Sequence, residues 1–133
     1  MRESLSIVLV DNEAAILDVM SAMLTSLGHK VVAQGKNGHE AVSLYKKHLP
    51  DILITDFDMP VMKGLDAAQI IKNQYPDAII VICSGSMDED ALDSEGMKIV
   101  RVLPKPVSKE RLRIFLEARI EDKKRQHSMS SQH

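Results

Sequence analysis

Residues 5–13 read LSIVLVDNE, a nearly continuous apolar run that stops at two acids and an amide. Such a run is typical of a β-strand that is covered on both faces. After this run, apolar residues recur in steps of three and four, which predicts one face of an amphipathic helix that ends at Gly28. The residues of this predicted face are Ile16, Val19, Met20, Met23, Leu24 and Leu27.

The rest of the chain repeats this alternation of strand and helix. Strands are predicted at residues 31–33, 52–55, 78–83 and 99–103, and helices before Pro50, before Pro76 and after a Ser108 N-cap. Only a weak, short or irregular helix, the fourth of five, is expected in the polar residues 86–97. Buried strands joined by helical crossovers predict a doubly wound α/β fold with a five-stranded parallel sheet.

Composition narrows the classes of protein to be considered. The 133 residues suit one domain, which we expect at residues 1–121, followed by a loose polar tail at 122–133. A net charge of -2 makes nucleic-acid binding unexpected. One cysteine forms no internal disulfide, and the longest apolar run, residues 78–83, is too short for a membrane span. We therefore expect a cytoplasmic protein without a membrane partner.

Polar residues follow four of the predicted strands, at residues 11–13, 56–58 and 84–86 and at Lys105. In parallel α/β sheets, sites form outside the carboxyl ends of the strands. Carboxylates about 5 Å apart repel by roughly 3 kcal/mol at an effective dielectric of 20, so Asp11 and Asp56 require compensation. Mg²⁺ and a lysine supply it, and with a hydroxyl they suit phosphoryl transfer to an aspartate.

These motifs resemble those of a known family, the receiver domains of two-component response regulators, of the chemotaxis-regulator type. The resemblance rests on VDNE at residues 10–13, DFDMPVMKGL at 56–65, Ser84-Gly85 and Lys105-Pro106, in this order and spacing. It covers roughly residues 5 to 120. It implies a flavodoxin-like fold with strand order 2-1-3-4-5.

The resemblance also implies a Mg²⁺ site. Asp11 would hold the metal through water, Asp56 would be a further ligand, and Asp58 would offer its backbone carbonyl. Asn12 stands where the family usually has a second acid, so it could still offer an oxygen but with weaker metal affinity. The five histidines show no ligand spacing.

The resemblance also implies that three residues take part in phosphoryl transfer. Asp56 corresponds to the phosphoacceptor, and Lys105 would form an ion pair with it. The hydroxyl of Ser84 would form a hydrogen bond with the phosphoryl group. The family's peptide bond after this lysine is typically cis, which Pro106 permits. Val102 stands where the family often has an aromatic switch residue.

The expected function is that of a single-domain receiver without enzymatic activity of its own. A histidine kinase or histidine phosphotransfer protein would phosphorylate Asp56, and a protein-binding face would then change for a downstream protein target. We expect a monomer or weak dimer. Two alternatives stay open: a receiver-like interaction module that needs no phosphate, suggested by Asn12 and Val102, and a haloacid-dehalogenase-like phosphatase, suggested by Asp56-Phe57-Asp58.

Overall fold

The fold is a single parallel sheet with helices on both faces. The computed structural model describes residues 3–85 and 100–131. The strands are β1 (Ser6–Val10), β2 (Lys30–Gly35), β3 (Ile52–Asp56), β4 (Ile80–Ser84) and β5 (Val100–Pro104). The helices in the described ranges are α1 (Ala14–Ser26), α2 (Gly38–His48), α3 (Gly64–Gln74) and the C-terminal helix α4 (Lys109–Ser131). The strand order is β2-β1-β3-β4-β5 and every adjacent pair is parallel, which confirms the predicted fold class.

Both faces of β1 are buried, as its apolar run predicts. Ile7 and Leu9 point to a core formed with α1 and α4, whereas Val8 and Val10 point to a core formed with α2 and α3. Each fully buried aliphatic side chain of this kind stabilises the fold by roughly 2 kcal/mol. Burial on both sides therefore fixes β1 in the middle of the molecule, with its carboxyl end held in a defined position.

The apolar face of α1 is narrower than predicted. Leu17, Met20 and Leu24 are the buried residues of this helix, but Val19 is 57% exposed, so its assignment to the core was wrong. Successive residues turn by about 100° around a helix, and Val19 lies about 100° from Met20 and 200° from Leu17. Steps of three and four alone do not separate the centre of such a face from its edge. Gly28 follows α1 with a φ of +91°, the conformation that the predicted glycine stop requires.

The C-terminal helix is longer than the sequence suggested. We expected a loose tail from residue 122, but α4 continues to Ser131. No glycine or proline interrupts this segment, Arg125 pairs with Asp122 at 2.6 Å, and Lys123 reaches Asp51 at 3.1 Å. The division into a domain of residues 1–121 and a tail stays a prediction. The expected fourth helix, at residues 86–97, lies outside the described residues.

Polar groups at the amino ends of the strands, which we call the amino edge, form a closed network. The Asp51 carboxylate accepts hydrogen bonds from the Ser6 backbone N–H at 2.8 Å, the Ser6 hydroxyl at 3.2 Å and the Lys123 ammonium at 3.1 Å. Burial acts to raise the pKa of Asp51, but these bonds outweigh it and hold the pKa below its ordinary value. Nearby, buried His29 accepts a hydrogen bond at Nδ1 from the Leu5 N–H at 3.1 Å. This edge therefore has paired charges and a structural role.

Within residues 3–85 and 100–131, no helix combines the length and the hydrophobicity that a bilayer crossing requires.

Candidate functional site

The carboxyl ends of four strands meet at the opposite side of the sheet, which we call the carboxyl edge. Asp11 directly follows β1, Asp56 and Ser84 are the last residues of β3 and β4, and Lys105 directly follows β5. Because β1, β3, β4 and β5 are successive neighbours in the sheet, their ends lie side by side. The structure thus brings these four predicted residues to the same edge, as the alternation of strands and helices implied.

Lys105 joins the two buried carboxylates. Its Nζ lies 3.0 Å from Asp56 Oδ1 and 3.2 Å from Asp11 Oδ2. Burial acts to lower the pKa of Lys105, but the hydrogen bonds and charges of Asp56 and Asp11 outweigh it and raise that pKa above its ordinary value. The lysine therefore stays protonated at neutral pH. Two carboxylates and one ammonium leave this cluster with a net charge of about -1.

The two carboxylates are held differently. Asp11 Oδ1 accepts a hydrogen bond from the Glu13 N–H at 2.9 Å, and its Oδ2 faces Lys105, so both of its oxygens have partners. Among the described residues, Lys105 alone forms an ion pair with Asp56. No buried side-chain oxygen or nitrogen of the described chain lacks a hydrogen-bond partner. Asp56 also lines an open cleft.

A cleft of about 500 Å³ opens in front of Asp56. The predicted site residues Asn12, Asp58, Ser84 and Lys105 line it together with Asp56. Asp11 does not line this cleft. It borders a second and more apolar cavity of about 310 Å³ between α1 and the residues after β5, which Asp56 and Lys105 also line. Asp56 and Lys105 therefore border both spaces, and Lys105 connects Asp56 to Asp11.

The loop between β3 and α3 forms one wall of this cleft. A Cβ atom at Gly64 would come within 2.1 Å of the Asp56 carbonyl oxygen, so only glycine allows α3 to start this close to the strand end. Val61 in the same loop has a φ of 72°, a strained conformation for a β-branched residue. The loop thus holds the backbone at and directly after Asp56 against the start of α3.

The donor atoms at this edge suit a hard divalent cation. Asp11 and Asp56 offer carboxylate oxygens, and Asn12 and Asp58 in the cleft wall offer an amide oxygen and a backbone carbonyl. In residues 3–85 and 100–131, no group of three His, Cys, Asp or Glu side chains is arranged to hold a metal. Mg²⁺ needs no such cage, since it is commonly bound by one or two carboxylates with water and phosphate oxygens.

Two charged residues of the cleft, Glu13 and Lys63, received no role from the sequence. Both fall within the motifs that carry the resemblance, immediately after or between residues with assigned roles. Their position in loops after β1 and β3 is a signal that could have identified them, since such loops belong to the carboxyl edge.

Three smaller expectations concern single residues near the site. Cys83 is buried, and burial raises the pKa of its thiol to about 12, so it stays protonated as expected of a core cysteine. The Lys105–Pro106 peptide bond is cis. Val102 is partly buried against the core formed with α2 and α3, a packing role for the residue at the predicted switch position.

Fold and site together define a class of protein: open parallel α/β domains that gather two carboxylates and a lysine at the carboxyl edge of the sheet. The sequence model of one family, described as the response regulator receiver domain, matches residues 7–117. The chain belongs to this family of response regulator receiver domains. Phosphoaspartate and Mg²⁺ are typical of the family, which is generally non-enzymatic.

Individual relatives agree with this assignment. The chemotaxis protein CheY of Thermotoga maritima is 36% identical over 92 residues, which are 69% of this chain and 76% of that protein. The crystal structure of a response regulator receiver domain protein from Clostridium thermocellum matches with a TM-score of 0.80 at 27% identity, covering 90% of this chain and 96% of that one. A chain of the CheX-CheY-BeF3-Mg²⁺ complex from Borrelia burgdorferi has the same fold, with a TM-score of 0.76 at 22% identity over 88% and 87% of the two chains.

Proposed function

We propose that this receiver domain is a two-component phosphoacceptor and that Asp56 is the residue that is phosphorylated. One observation carries the proposal: the Asp56 carboxylate contacts the Lys105 ammonium at 3.0 Å and also borders the open cleft. An anionic nucleophile beside a fixed cation is suited to attack a phosphoryl group, because the cation neutralises charge on the phosphoryl oxygens.

The donor is a phosphohistidine of a histidine kinase or of a histidine phosphotransfer protein. A carboxylate oxygen of Asp56 attacks the phosphorus, the P–O bond forms, and the P–N bond breaks with its electron pair left on the imidazole nitrogen. Lys105 then pairs with a phosphoryl oxygen. The hydroxyl of Ser84, which lines the same cleft, donates to another.

We propose that Mg²⁺ is the cofactor of this site, held by Asp11 and Asp56, by the Asn12 side-chain oxygen and by the Asp58 backbone carbonyl. When bound, the ion supplies positive charge that neutralises phosphoryl oxygens. The CheX-CheY complex from Borrelia burgdorferi contains Mg²⁺, which supports this cofactor because a chain of that complex has the same fold.

The neutral amide of Asn12 predicts weak binding of Mg²⁺. Restoring a carboxylate with Asn12→Asp should tighten Mg²⁺ binding by roughly tenfold, since a full charge about 5 Å from a divalent ion in water is worth somewhat more than 1 kcal/mol. A titration followed by NMR measures this directly. An unchanged or weaker affinity of the variant would show that residue 12 does not face the metal.

The output is a change in protein binding. The phosphoryl dianion draws Ser84 and Lys105 toward it, and Lys105 directly follows β5, so the change is transmitted along β5 toward a partner-binding face near α4. A downstream protein target reads this face, and no nucleic acid or membrane is required. Cytoplasmic location and a monomer or weak dimer stay predictions.

The test is phosphorylation by a small donor. The protein is incubated with acetyl phosphate and Mg²⁺, and the intact mass is measured. We expect a gain of one phosphoryl group for the wild type and for Asp58→Asn, but none for Asp56→Asn. A wild type that gains no mass, or an Asp56→Asn variant that gains as much as the wild type, would refute the proposal.

A second candidate is a receiver that binds its partner without phosphate. It is favoured by one observation, that Lys105 already bridges both carboxylates, so one of the two negative charges is compensated without a metal. NMR in millimolar Mg²⁺ separates the two: shifts near Asp56 support the phosphoacceptor, and their absence supports the phosphate-independent module.

The family match to a receiver domain over residues 7–117 leaves no support for the phosphatase alternative.

A further inference from the structure

Lys63 is a second cation of the phosphoacceptor cleft. Its side chain lines the cleft together with Asp56, Asp58 and Lys105, from the loop that precedes α3. Unlike Lys105, it is exposed, and in the described part of the chain it has no ion-pair partner. The cleft thus contains one lysine that pairs with two carboxylates and one that forms no ion pair in the described part of the chain, beside the acids Glu13 and Asp58.

The position of Lys63 has no evident benefit for the fold. It is the N-cap residue of α3, yet its side chain forms no capping hydrogen bond. A cation there is unfavourable, because the N-terminus of a helix already carries partial positive charge and Asp, Asn, Ser or Thr are the stabilising caps. A residue that breaks a local rule without a structural gain points to a functional role.

We propose that Lys63 attracts and orients the anionic phosphodonor in front of Asp56, and that it thereby favours donors with a greater net negative charge. This inference rests on the proposed phosphorylation of Asp56. Lys105 is paired with Asp11 and Asp56 before the donor arrives. A distant anion is therefore only weakly attracted by Lys105, because the two carboxylates offset its charge. Lys63 forms no ion pair in the described part of the chain, so it is the cleft lysine available to an approaching anion.

The expected size of the effect follows from Coulomb's law. The interaction of a unit charge with a dianion about 8 Å away in water, reduced by screening at physiological salt, changes the rate of encounter by about twofold. Lys63→Gln should therefore lower the second-order rate constant for phosphorylation by acetyl phosphate about twofold, and Lys63→Glu about fourfold. Phosphoramidate, which carries less negative charge, should be affected less by either change.

The matched control is Lys36→Gln. Lys36 is an exposed lysine that also lies at the carboxyl edge, after β2, but it does not line the cleft. This substitution removes the same charge from the same side of the protein. Lys63→Arg should keep the wild-type rate, and raising the ionic strength should reduce the difference between wild type and Lys63→Gln. Thermal unfolding of every variant shows whether the fold is intact.

The outcomes separate this inference from the proposed function. If the wild type is not phosphorylated, the proposed function fails. If the wild type is phosphorylated but Lys63→Gln and Lys63→Glu react at the wild-type rate, or if Lys36→Gln slows the reaction equally, the role of Lys63 is refuted. A slower reaction with both donors to the same extent would also refute it, since selection by donor charge would then be absent.

Discussion

At the amino edge of the sheet, the single carboxylate of Asp51 accepts hydrogen bonds from Ser6 and from Lys123. At the carboxyl edge, two carboxylates, Asp11 and Asp56, share the one ammonium of Lys105. In the first arrangement one negative charge is paired with one positive charge, and the carboxylate accepts hydrogen bonds from backbone and side-chain donors. The second carries excess negative charge and borders a cleft.

This difference separates groups that stabilise the fold from groups that are available for chemistry. Polar atoms with complete hydrogen bonding contribute to stability, because breaking them leaves a partner unpaired. Like charges that lie close together lower the stability of the fold. They are typically retained at sites where they bind a ligand or take part in a reaction. The same sheet therefore has one edge at which the charges are balanced and one with excess negative charge, although each edge pairs an acid with a lysine.

The largest stability effect should come from the amino edge. Asp51→Ala removes the acceptor of the Ser6 N–H and should lower the free energy of unfolding by about 2 kcal/mol. Urea denaturation at neutral pH measures this. Asp18→Ala, which removes an exposed carboxylate of α1, serves as the control and should leave stability nearly unchanged. If both variants unfold at the same urea concentration, the network around Asp51 has no structural role.

A somewhat smaller loss is expected at the carboxyl edge. Lys105→Met leaves Asp11 and Asp56 uncompensated and should cost about 1.5 kcal/mol at neutral pH, less than for a fully buried pair because Lys105 is partly exposed. Since the pKa of Lys105 is raised in the fold, its stabilisation is complete below its ordinary pKa of 10.5 and is lost as pH rises through the higher folded value.

Urea denaturation of wild type and Lys105→Met from neutral to alkaline pH checks this sign. The difference between them should be largest at neutral pH and shrink at alkaline pH, whereas Lys30→Met, at an exposed lysine of β2, should show little difference at any pH. A difference that grows as pH rises would contradict the assignment of Lys105 as the compensating charge.

The smallest effect should come from His29. Burial lowers the pKa of its imidazole, and its Nδ1 must stay unprotonated to accept from the Leu5 N–H. Its stabilising effect is therefore present above the ordinary pKa of 6.5 and is lost as pH falls toward the lower folded value, by at most about 1.4 kcal/mol per pH unit.

His29→Asn retains an acceptor atom without titrating, so its stability should depend less on pH between about 7.5 and 5.5 than that of the wild type. His39→Asn, at an exposed histidine of α2, is the control and should keep the wild-type dependence. An equal pH dependence of wild type and His29→Asn would show that His29 is not the sensitive group.

The sequence predicts which residues gather at the carboxyl edge better than it predicts their contacts. Asp11, Asp56, Ser84 and Lys105 could be placed together because strand ends are readable from buried runs, and parallel strands end at one edge. The contacts of Lys105 with both acids could not be predicted, since they depend on the conformation of a flexible side chain that follows β5. The exposure of Val19 and the contact of Lys123 with Asp51 likewise depend on how helices are rotated and extended against the sheet.

The most direct test of the central claim is to locate the phosphoryl group. After reaction with acetyl phosphate and Mg²⁺, borohydride converts a phosphorylated aspartate to homoserine, and tryptic peptides are sequenced by mass spectrometry. The peptide of residues 48–63 contains Asp51, Asp56 and Asp58, so it compares acids of both edges in one molecule. We expect homoserine at position 56 alone. Homoserine at position 51 or 58, or at neither these nor position 56, would contradict the account.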